Sequence, residues 1–168
     1  MVSSSPDFVA HRAGTARARL SPGKLVSLAT ALCLERGERM TKSRRRVLEL
    51  LWRAKRPLTA YELIEVMSAD TGRPVGPPTV YRALEFLAAQ GLISKIQSRN
   101  AYAPRLHPER PSTSMFYVCE DCGESSELED PYIERLLSKN AGALSFTMTR
   151  PIIEIEGKCA NCIADEKT

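Results

Sequence analysis

Two cysteine pairs in the second half of the chain have a spacing that suits metal chelation. The pairs are Cys119 with Cys122 and Cys159 with Cys162, and 36 residues separate them. A turn with two residues between cysteines points both sulfurs to one side, so the four thiolates can surround one ion. Four thiolates in a tetrahedral array suit Zn(II) and leave no open position for a catalytic water. The sequence therefore predicts one structural zinc ion per protomer.

The cysteines also allow another interpretation, in which the pairs are unrelated or one of them is a dithiol redox motif. The fifth cysteine, Cys33, continues the apolar face of a predicted helix, and we interpret it as a small core residue. No charged and then apolar leader opens the sequence. We therefore expect a cytoplasmic protein with reduced cysteines rather than a disulfide framework.

Other candidates for chemistry are few, since the sequence has only two histidines. His11 lies in a polar, basic terminal segment and is expected to bind no metal. No glycine-rich phosphate loop and no arrangement of a nucleophile with a base is present. The sequence thus predicts that the chain is not an enzyme.

Charge is divided unevenly along the chain, whose formal net charge is +4. Residues 1–102 contain 17 Lys and Arg against 8 Asp and Glu, whereas residues 103–168 contain 7 against 12. A basic first part favours contact with a polyanion such as nucleic acid. No apolar run reaches the length of a membrane span, so no membrane partner is expected.

Hydrophobic periodicity indicates which elements position these residues. It predicts amphipathic helices near residues 24–36, 41–54, 59–70 and 77–91, followed by a two-stranded hairpin at 92–103. Helices followed by such a hairpin are typical of a winged helix-turn-helix, in which the helix before the wing enters the major groove. Strands and one helix after residue 114 predict a second, smaller unit, and the overall fold class is α+β.

The second predicted helix begins with a basic cluster, which opposes the helix dipole and so does not serve helix stability. A phosphate partner would explain the cluster, and a solvated face is the alternative. Its members are Lys42, Arg44, Arg45 and Arg46.

Three motifs taken together resemble the ferric uptake regulator family. They are PPTVYRALEFL at residues 77–87, SRNAY at 98–102, and MFYVC at 115–119 running on to Cys122. With the closing GKCANC at 157–162, they resemble its zinc uptake subfamily most. The resemblance covers residues 24–164.

The resemblance implies a homodimeric repressor that binds a palindromic DNA operator. Its two domains would be a winged-helix DNA-binding domain at 23–103 and a small α/β dimerisation domain with the four-cysteine zinc site at 115–168. Composition by itself predicts a basic tail at 1–22 and a hinge at 104–114. The resemblance implies further that Tyr81 and Arg82 read bases and that Thr79 and the basic cluster lie near phosphates. We place the wing residue Arg99 among the DNA contacts as well.

The resemblance also implies a second, sensing zinc ion between the domains, and here the sequence departs from the family. Of its ligand positions only Glu127 is kept, while the others read Ser94, Pro104 or Arg105, and Ser112. His107 with Glu127 would form a partial site, but two ligands are too few to bind zinc tightly. We expect a degenerate sensing site, and the second ion stays open. The alternatives are a metal-unresponsive or differently liganded paralogue, a thiol redox switch, or an RNA-binding or assembly protein built on a zinc ribbon.

Overall fold

The computed structural model describes residues 21–54, 56–109, 113–149 and 151–165. The first unit contains α1 (Pro22–Glu35), α2 (Lys42–Arg53), β1 (Leu58–Thr59), α3 (Ala60–Thr71), α4 (Pro77–Ala89), β2 (Ile93–Ile96) and β3 (Ala101–Pro104). The second contains β4 (Ser114–Cys119), β5 (Ser125–Leu128), α5 (Pro131–Ala143), β6 (Ile152–Gly157) and α6 (Ala160–Asp165). Most of the predicted basic tail, with His11, lies outside the described residues. Within them, no helix has the length and apolar character needed to cross a membrane.

The helices of the first unit begin at polar residues that accept hydrogen bonds from the first turn. Thr41 caps α2 by accepting from the Arg44 N–H. Thr59 and Glu62 form a capping box at α3, in which each side chain accepts from the other residue's backbone N–H. The reading-helix candidate α4 begins instead with Pro77 and Pro78, which have no N–H to satisfy.

The core of the first unit lies where α2, α3 and α4 pack together beneath the hairpin. Cys33 of α1 is fully buried in it, so the prediction of a core residue is confirmed, and burial raises the pKa of its thiol. The fully buried aliphatic residues of this core include Val47, Leu51, Leu63, Val80 and Leu87.

The wing is an antiparallel pair of β2 and β3, as predicted, and it carries a third strand that the sequence analysis missed. β1 pairs with β3, with Leu58 opposite Tyr102. A strand of two residues is too short to show an alternating pattern, and it exists because β3 offers it a free edge.

The second unit is a three-stranded sheet with the order β5-β4-β6. β4 and β5 form an antiparallel pair, whereas β6 lies parallel to β4, with Cys119 opposite Gly157. Parallel neighbours end at the same edge of a sheet, so the cysteines that follow β4 and β6 lie at one end. The short helix α6, which contains Cys162, was not predicted.

The sequence also predicts that Ile133, Leu136 and Leu137 of α5 face inward, and for Leu136 this is wrong in the single chain. No residue of α5, all of which the structure describes, is buried, and Leu136 is 46% exposed. Ile133 and Leu137 are half-buried, so the described part of the chain covers the apolar side of this helix only in part.

The two units meet along a row of three side chains in the second sheet. Strand register places Glu127 of β5 and Glu154 of β6 on either side of Phe116 of β4. We call these three residues the docking row. Phe116 packs in a small buried cluster with Ile96 and Ala103 of the wing. The docking row therefore faces the wing and the segment that joins the units.

Candidate metal centre and nucleic-acid interface

The four predicted zinc ligands lie together at the end of the second sheet. Their sulfur atoms are all within 4.8 Å of one another. The sulfurs of Cys119 and Cys162 are 3.7 Å apart, and those of Cys122 and Cys159 are 3.8 Å apart. Among the residues that the structure describes, no second group of three or more metal-ligating side chains is found.

These distances fit a tetrahedral zinc centre. Sulfurs bound at about 2.3 Å to a central ion lie about 3.8 Å from one another in a regular tetrahedron. The turns that carry them are held by the backbone, since Cys119 N–H donates to Glu124 O and Glu120 N–H donates to Gly157 O. Two sulfur pairs therefore lie at the separation that Zn(II) requires, and all four sulfurs are close enough together to surround one ion.

Backbone donors prepare one of the thiols to lose its proton. N–H groups of Cys122 and Cys159 donate to the sulfur of Cys119 and lower its pKa to about 6. The pKa of Cys162 is raised instead, mainly because it shares a hydrogen bond with the Cys159 thiol. Binding of zinc must therefore displace protons from the remaining thiols, which makes its affinity depend on pH.

The partial second metal site, predicted from His107 and Glu127, finds no support in the geometry. His107 Nδ1 faces Glu109, 3.2 Å from its carboxylate. Glu127 is only 3% exposed and is occupied by other donors, namely the Leu106 N–H at 2.8 Å and the Ser114 hydroxyl at 2.7 Å. Burial raises the pKa of Glu127, although these donors oppose the shift.

A guanidinium group occupies the side of Glu127 where a cation would be expected. Arg105 Nε lies 3.9 Å from the Glu127 carboxylate, and the two side chains are 11% and 3% exposed. Arg105 also stands at one of the positions where the resemblance implies a metal ligand. A buried carboxylate that already has an internal cation and two hydrogen-bond donors is poorly suited to a metal ion, so the implied sensing zinc does not fit here.

The predicted DNA-reading residues share the outer face of α4. Thr79, Tyr81 and Arg82 are exposed, whereas Val80, Ala83 and Leu84 are buried beneath them. The helix is held to the core by its apolar side, and its polar side is open to solvent over the first two turns. This arrangement lets α4 present a threonine, a tyrosine and an arginine to a partner without disturbing the core.

The basic cluster at the start of α2 divides into two kinds of residue. Arg46 pairs with Asp70 and Glu49, and the Arg44 guanidinium lies 3.3 Å from the centre of the Phe86 ring in α4. Lys42 and Arg45 are exposed. Arg44 and Arg46 therefore tie α2 to its neighbours, while Lys42 and Arg45 are available to a phosphate backbone.

Arg99, which is predicted to contact DNA, instead contacts the second unit of its own chain. Its guanidinium donates to the backbone carbonyls of Cys119 at 2.7 Å and Glu120 at 2.6 Å. These contacts join the wing to the metal-binding turn, so the geometry does not favour the predicted contact of Arg99 with DNA.

Comparison with known proteins identifies the family of this chain. Residues 35–156 match the profile of the Ferric uptake regulator family. The chain belongs to the ferric uptake regulator family. Membership identifies it as a transcription regulator and not an enzyme, as the sequence predicts.

Individual members of this family support the resemblance of this chain to zinc uptake regulators. The zinc uptake regulation protein of Escherichia coli (strain K12) is 32% identical over 144 residues, which cover 85% of this chain and 84% of that protein. A solved zinc uptake regulator complexed with zinc and DNA is 31% identical and superposes with a TM-score of 0.81 over 89% of this chain and 99% of that one. The solved holo form of XcZur is 38% identical, with a TM-score of 0.74 over 86% and 99% of the two chains.

The sequence did not indicate two polar contacts at the junction between the two units. Glu154 of the docking row accepts from the wing, and Arg105 faces Glu127. Alternation of Glu154 with Ile153 and Ile155 marks it as lying on the opposite face of β6, but only the sheet register shows that this face meets the wing.

Proposed function

We propose that this protein is a cytoplasmic, homodimeric repressor that reads a palindromic DNA operator with α4 and controls genes of zinc homeostasis. The observation that carries the proposal is the outer face of α4, which presents Thr79, Tyr81 and Arg82 beside a wing. The agreement with a DNA-bound zinc uptake regulator, at a TM-score of 0.81, supports it. The domain boundaries at residues 23–103 and 115–168 are part of the proposal.

In this proposal Arg82 and Tyr81 enter the major groove. An arginine can donate two hydrogen bonds to the O6 and N7 atoms of guanine, which distinguishes that base from the other three. Thr79, at the start of the helix, lies near a phosphate, together with Lys42 and Arg45 of α2. Phosphate contacts fix the register of the protein on DNA but carry little sequence information.

The second copy of the chain covers the outer face of the second sheet. Tyr117 of β4 lies beside Ile155 of β6, and they are 45% and 38% exposed. Leu136 of α5 and Ile163 of α6 are exposed as well. A twofold dimer would bury these apolar groups and place two copies of α4 at a fixed separation, which is what a palindromic operator requires.

Zinc at the four cysteines would serve structure rather than catalysis. The ion would be held by Cys119, Cys122, Cys159 and Cys162, and it would supply cross-links between the ends of β4 and β6. Because a unit of about fifty residues buries little apolar surface, these cross-links contribute to its folding free energy. The close approach of all four sulfurs does not favour the alternative of a dithiol redox switch.

The contact of Arg105 with Glu127 favours a second candidate function, that of a family member whose DNA binding does not respond to a second metal ion. In this version the junction between the units is closed by an internal cation. Both versions share the same reading helix and the same structural zinc.

The experiment that tests the proposal measures the DNA preference of variants of α4. A binding site is first selected with the wild-type protein from a library of random duplexes, and affinity is then measured for that site and for an unrelated duplex. We expect Arg82→Ala to weaken binding to the selected site by about tenfold to a hundredfold, since a bidentate base contact is worth ~1–3 kcal/mol, and to change the unrelated duplex little. Arg53→Ala, an exposed arginine at the end of α2, is the matched control.

Two results would contradict the proposal. If selection returns no duplex site, or if structured RNA competes as well as duplex DNA, the protein is not a sequence-specific repressor. If Arg82→Ala weakens both duplexes equally, Arg82 contacts only the backbone. Affinity should also fall steeply with salt, with a logarithmic slope that grows by about 0.9 for each phosphate contact.

A further inference from the structure

The tip of the wing is directed toward the metal centre of its own chain. The guanidinium of Arg99 reaches across from the turn between β2 and β3, and one of its terminal nitrogens donates to both Cys119 O and Glu120 O. Cys119 supplies a zinc ligand from its side chain and an acceptor from its backbone. One residue thus connects the metal-binding turn with the wing.

A second contact holds the same turn of the wing from the other side. The carboxylate of Glu154 accepts from the backbone N–H of Gln97 at 2.7 Å and from that of Ser98 at 3.1 Å. Burial raises the pKa of Glu154, but these N–H donors outweigh it and the net shift is downward, so the carboxylate is charged at neutral pH. Both groups of bonds are charge-assisted, which makes them stronger than bonds between neutral groups.

The position of the two carbonyls that Arg99 contacts depends on the metal-binding turn. Cys119 and Glu120 open the turn that carries Cys122, and the Glu120 N–H donates to Gly157 O next to the second cysteine pair. An ion bound to all four sulfurs fixes this turn against β6. Without the ion, the turn is held only by these backbone hydrogen bonds and by weak hydrogen bonds between the thiols, so we expect its two carbonyls to be directed less firmly toward Arg99.

We propose that Arg99 is a positioning residue that couples the zinc centre to the wing, so that zinc bound at the four cysteines holds the wing in its DNA-ready orientation. The coupling makes the four-cysteine centre a site at which loss of zinc weakens DNA binding, without any second metal. Its consequence for DNA rests on the proposed function, whereas the coupling itself does not.

The direct test follows the wing in the full-length, zinc-loaded protein without DNA. Amide hydrogen exchange at Gln97 and Ser98 is measured by NMR for the wild type, for Arg99→Ala and for Arg99→Lys. We expect Arg99→Ala to speed exchange at both amides by about tenfold or more, since a hydrogen bond from a charged donor is lost. Arg99→Lys keeps a donor and should restore part of the protection. Arg53→Ala is the control for removal of a positive charge and should leave exchange unchanged.

Zinc content and metal removal complete the test of coupling. Arg99→Ala should keep the wild-type zinc content, because no ligand is changed. Removal of zinc from the wild type with a strong chelator should speed exchange at Gln97 and Ser98 to about the level of Arg99→Ala. The same treatment of Arg99→Ala should speed exchange at these two amides by less than about a further threefold. Equal accelerations in the two proteins would mean that zinc and Arg99 act independently, and they would overturn the proposal.

DNA affinity separates the coupling from a direct contact of Arg99 with DNA. We expect Glu154→Gln, which leaves Arg99 intact, to weaken DNA binding in the same direction as Arg99→Ala, because both release the wing. Weaker DNA binding of Arg99→Ala with unchanged exchange in the free protein would instead show that Arg99 contacts DNA, and the proposal would be wrong. If no variant and no wild type binds duplex DNA, the proposed function fails, while the exchange measurements still decide the coupling.

Discussion

Glu127 shows how the neighbours of a residue decide what its side chain can do. The sequence marks this glutamate as the one ligand kept from a sensing site, and a carboxylate in an open cleft would suit that purpose. In the structure it is 3% exposed and already accepts from a backbone N–H and a hydroxyl, with Arg105 beside it. Sequence could suggest that the metal site was degenerate because its histidines are missing. It could not show that an arginine faces the remaining carboxylate, because that depends on how the segment after β3 packs against the second sheet.

Glu62 gives a pH-dependent prediction at the scale of one residue. Its pKa is lowered from 4.5 to about 2, first by the hydrogen bond from Arg56 and then by donors of Thr59. Because the folded pKa lies below the unfolded one, the stabilisation is present above pH 4.5 and is lost as the pH falls toward about 2. We expect Glu62→Gln to lower the free energy of unfolding at pH 6, and the difference from the wild type to shrink as the solution is acidified.

Urea unfolding followed by fluorescence of the buried Trp52 measures this difference at each pH. Glu65→Gln, an exposed position on the same helix, is the matched control. A difference between Glu62→Gln and the wild type that stays constant from pH 6 to pH 3 would contradict the assignment of this stabilisation to the charged carboxylate.

Whether an element could be predicted depended on where its signals lie along the chain. Caps such as Thr41 and Thr59 and the apolar stripe of α4 are local, so those helices were predicted with nearly correct bounds. β1 was missed because its two residues are a strand only through pairing with β3. The inward side of α5 was only partly correct, because within the described part of one chain Leu136 is exposed while Ile133 and Leu137 are half-buried.

The exposed face of the second sheet carries a prediction at the scale of elements. Tyr117 and Ile155 are register neighbours, and a second copy would remove both from water. We expect Ile155→Glu to convert the dimer into a monomer in sedimentation velocity, because a charge in a desolvated apolar contact is strongly unfavourable. Zinc content should stay at the wild-type value. Leu34→Glu, at an exposed leucine of α1, is the control, and a dimer that persists in Ile155→Glu would place the interface elsewhere.

At the scale of the whole molecule, the two units differ in what they contribute. The first carries the basic charge and the reading helix, and the second carries the metal centre and the apolar outer face. The docking row joins them through one aromatic and two carboxylates. Family membership and the general plan could be predicted because motifs and cysteine spacing survive in the sequence. The polar contacts of the junction could not, since they join residues far apart in the chain, as from Gln97 to Glu154.

Metal content tests this view of the whole molecule. We expect about one tightly held zinc ion per protomer by elemental analysis, and excess Zn(II) should add no second tight site. A mild chelator should leave DNA affinity unchanged, whereas a chelator strong enough to empty the four cysteines should lower it. Cys122→Ser should reduce the zinc content below one. A second ion that is removed by the mild chelator and that controls DNA binding would contradict the interpretation of Arg105.

The parallel pairing of β4 with β6 also sets the order in which a newly made chain can mature. The core of the first unit is built from residues that leave the ribosome early, and it needs nothing from β6. Cys159 and Cys162 emerge about forty residues after the first cysteine pair, and Glu154 emerges only shortly before them. In a nascent chain the reading helix can therefore form before Glu154 is available to hold the wing. The contacts that hold the wing are therefore completed at about the same stage of synthesis as the four-cysteine site.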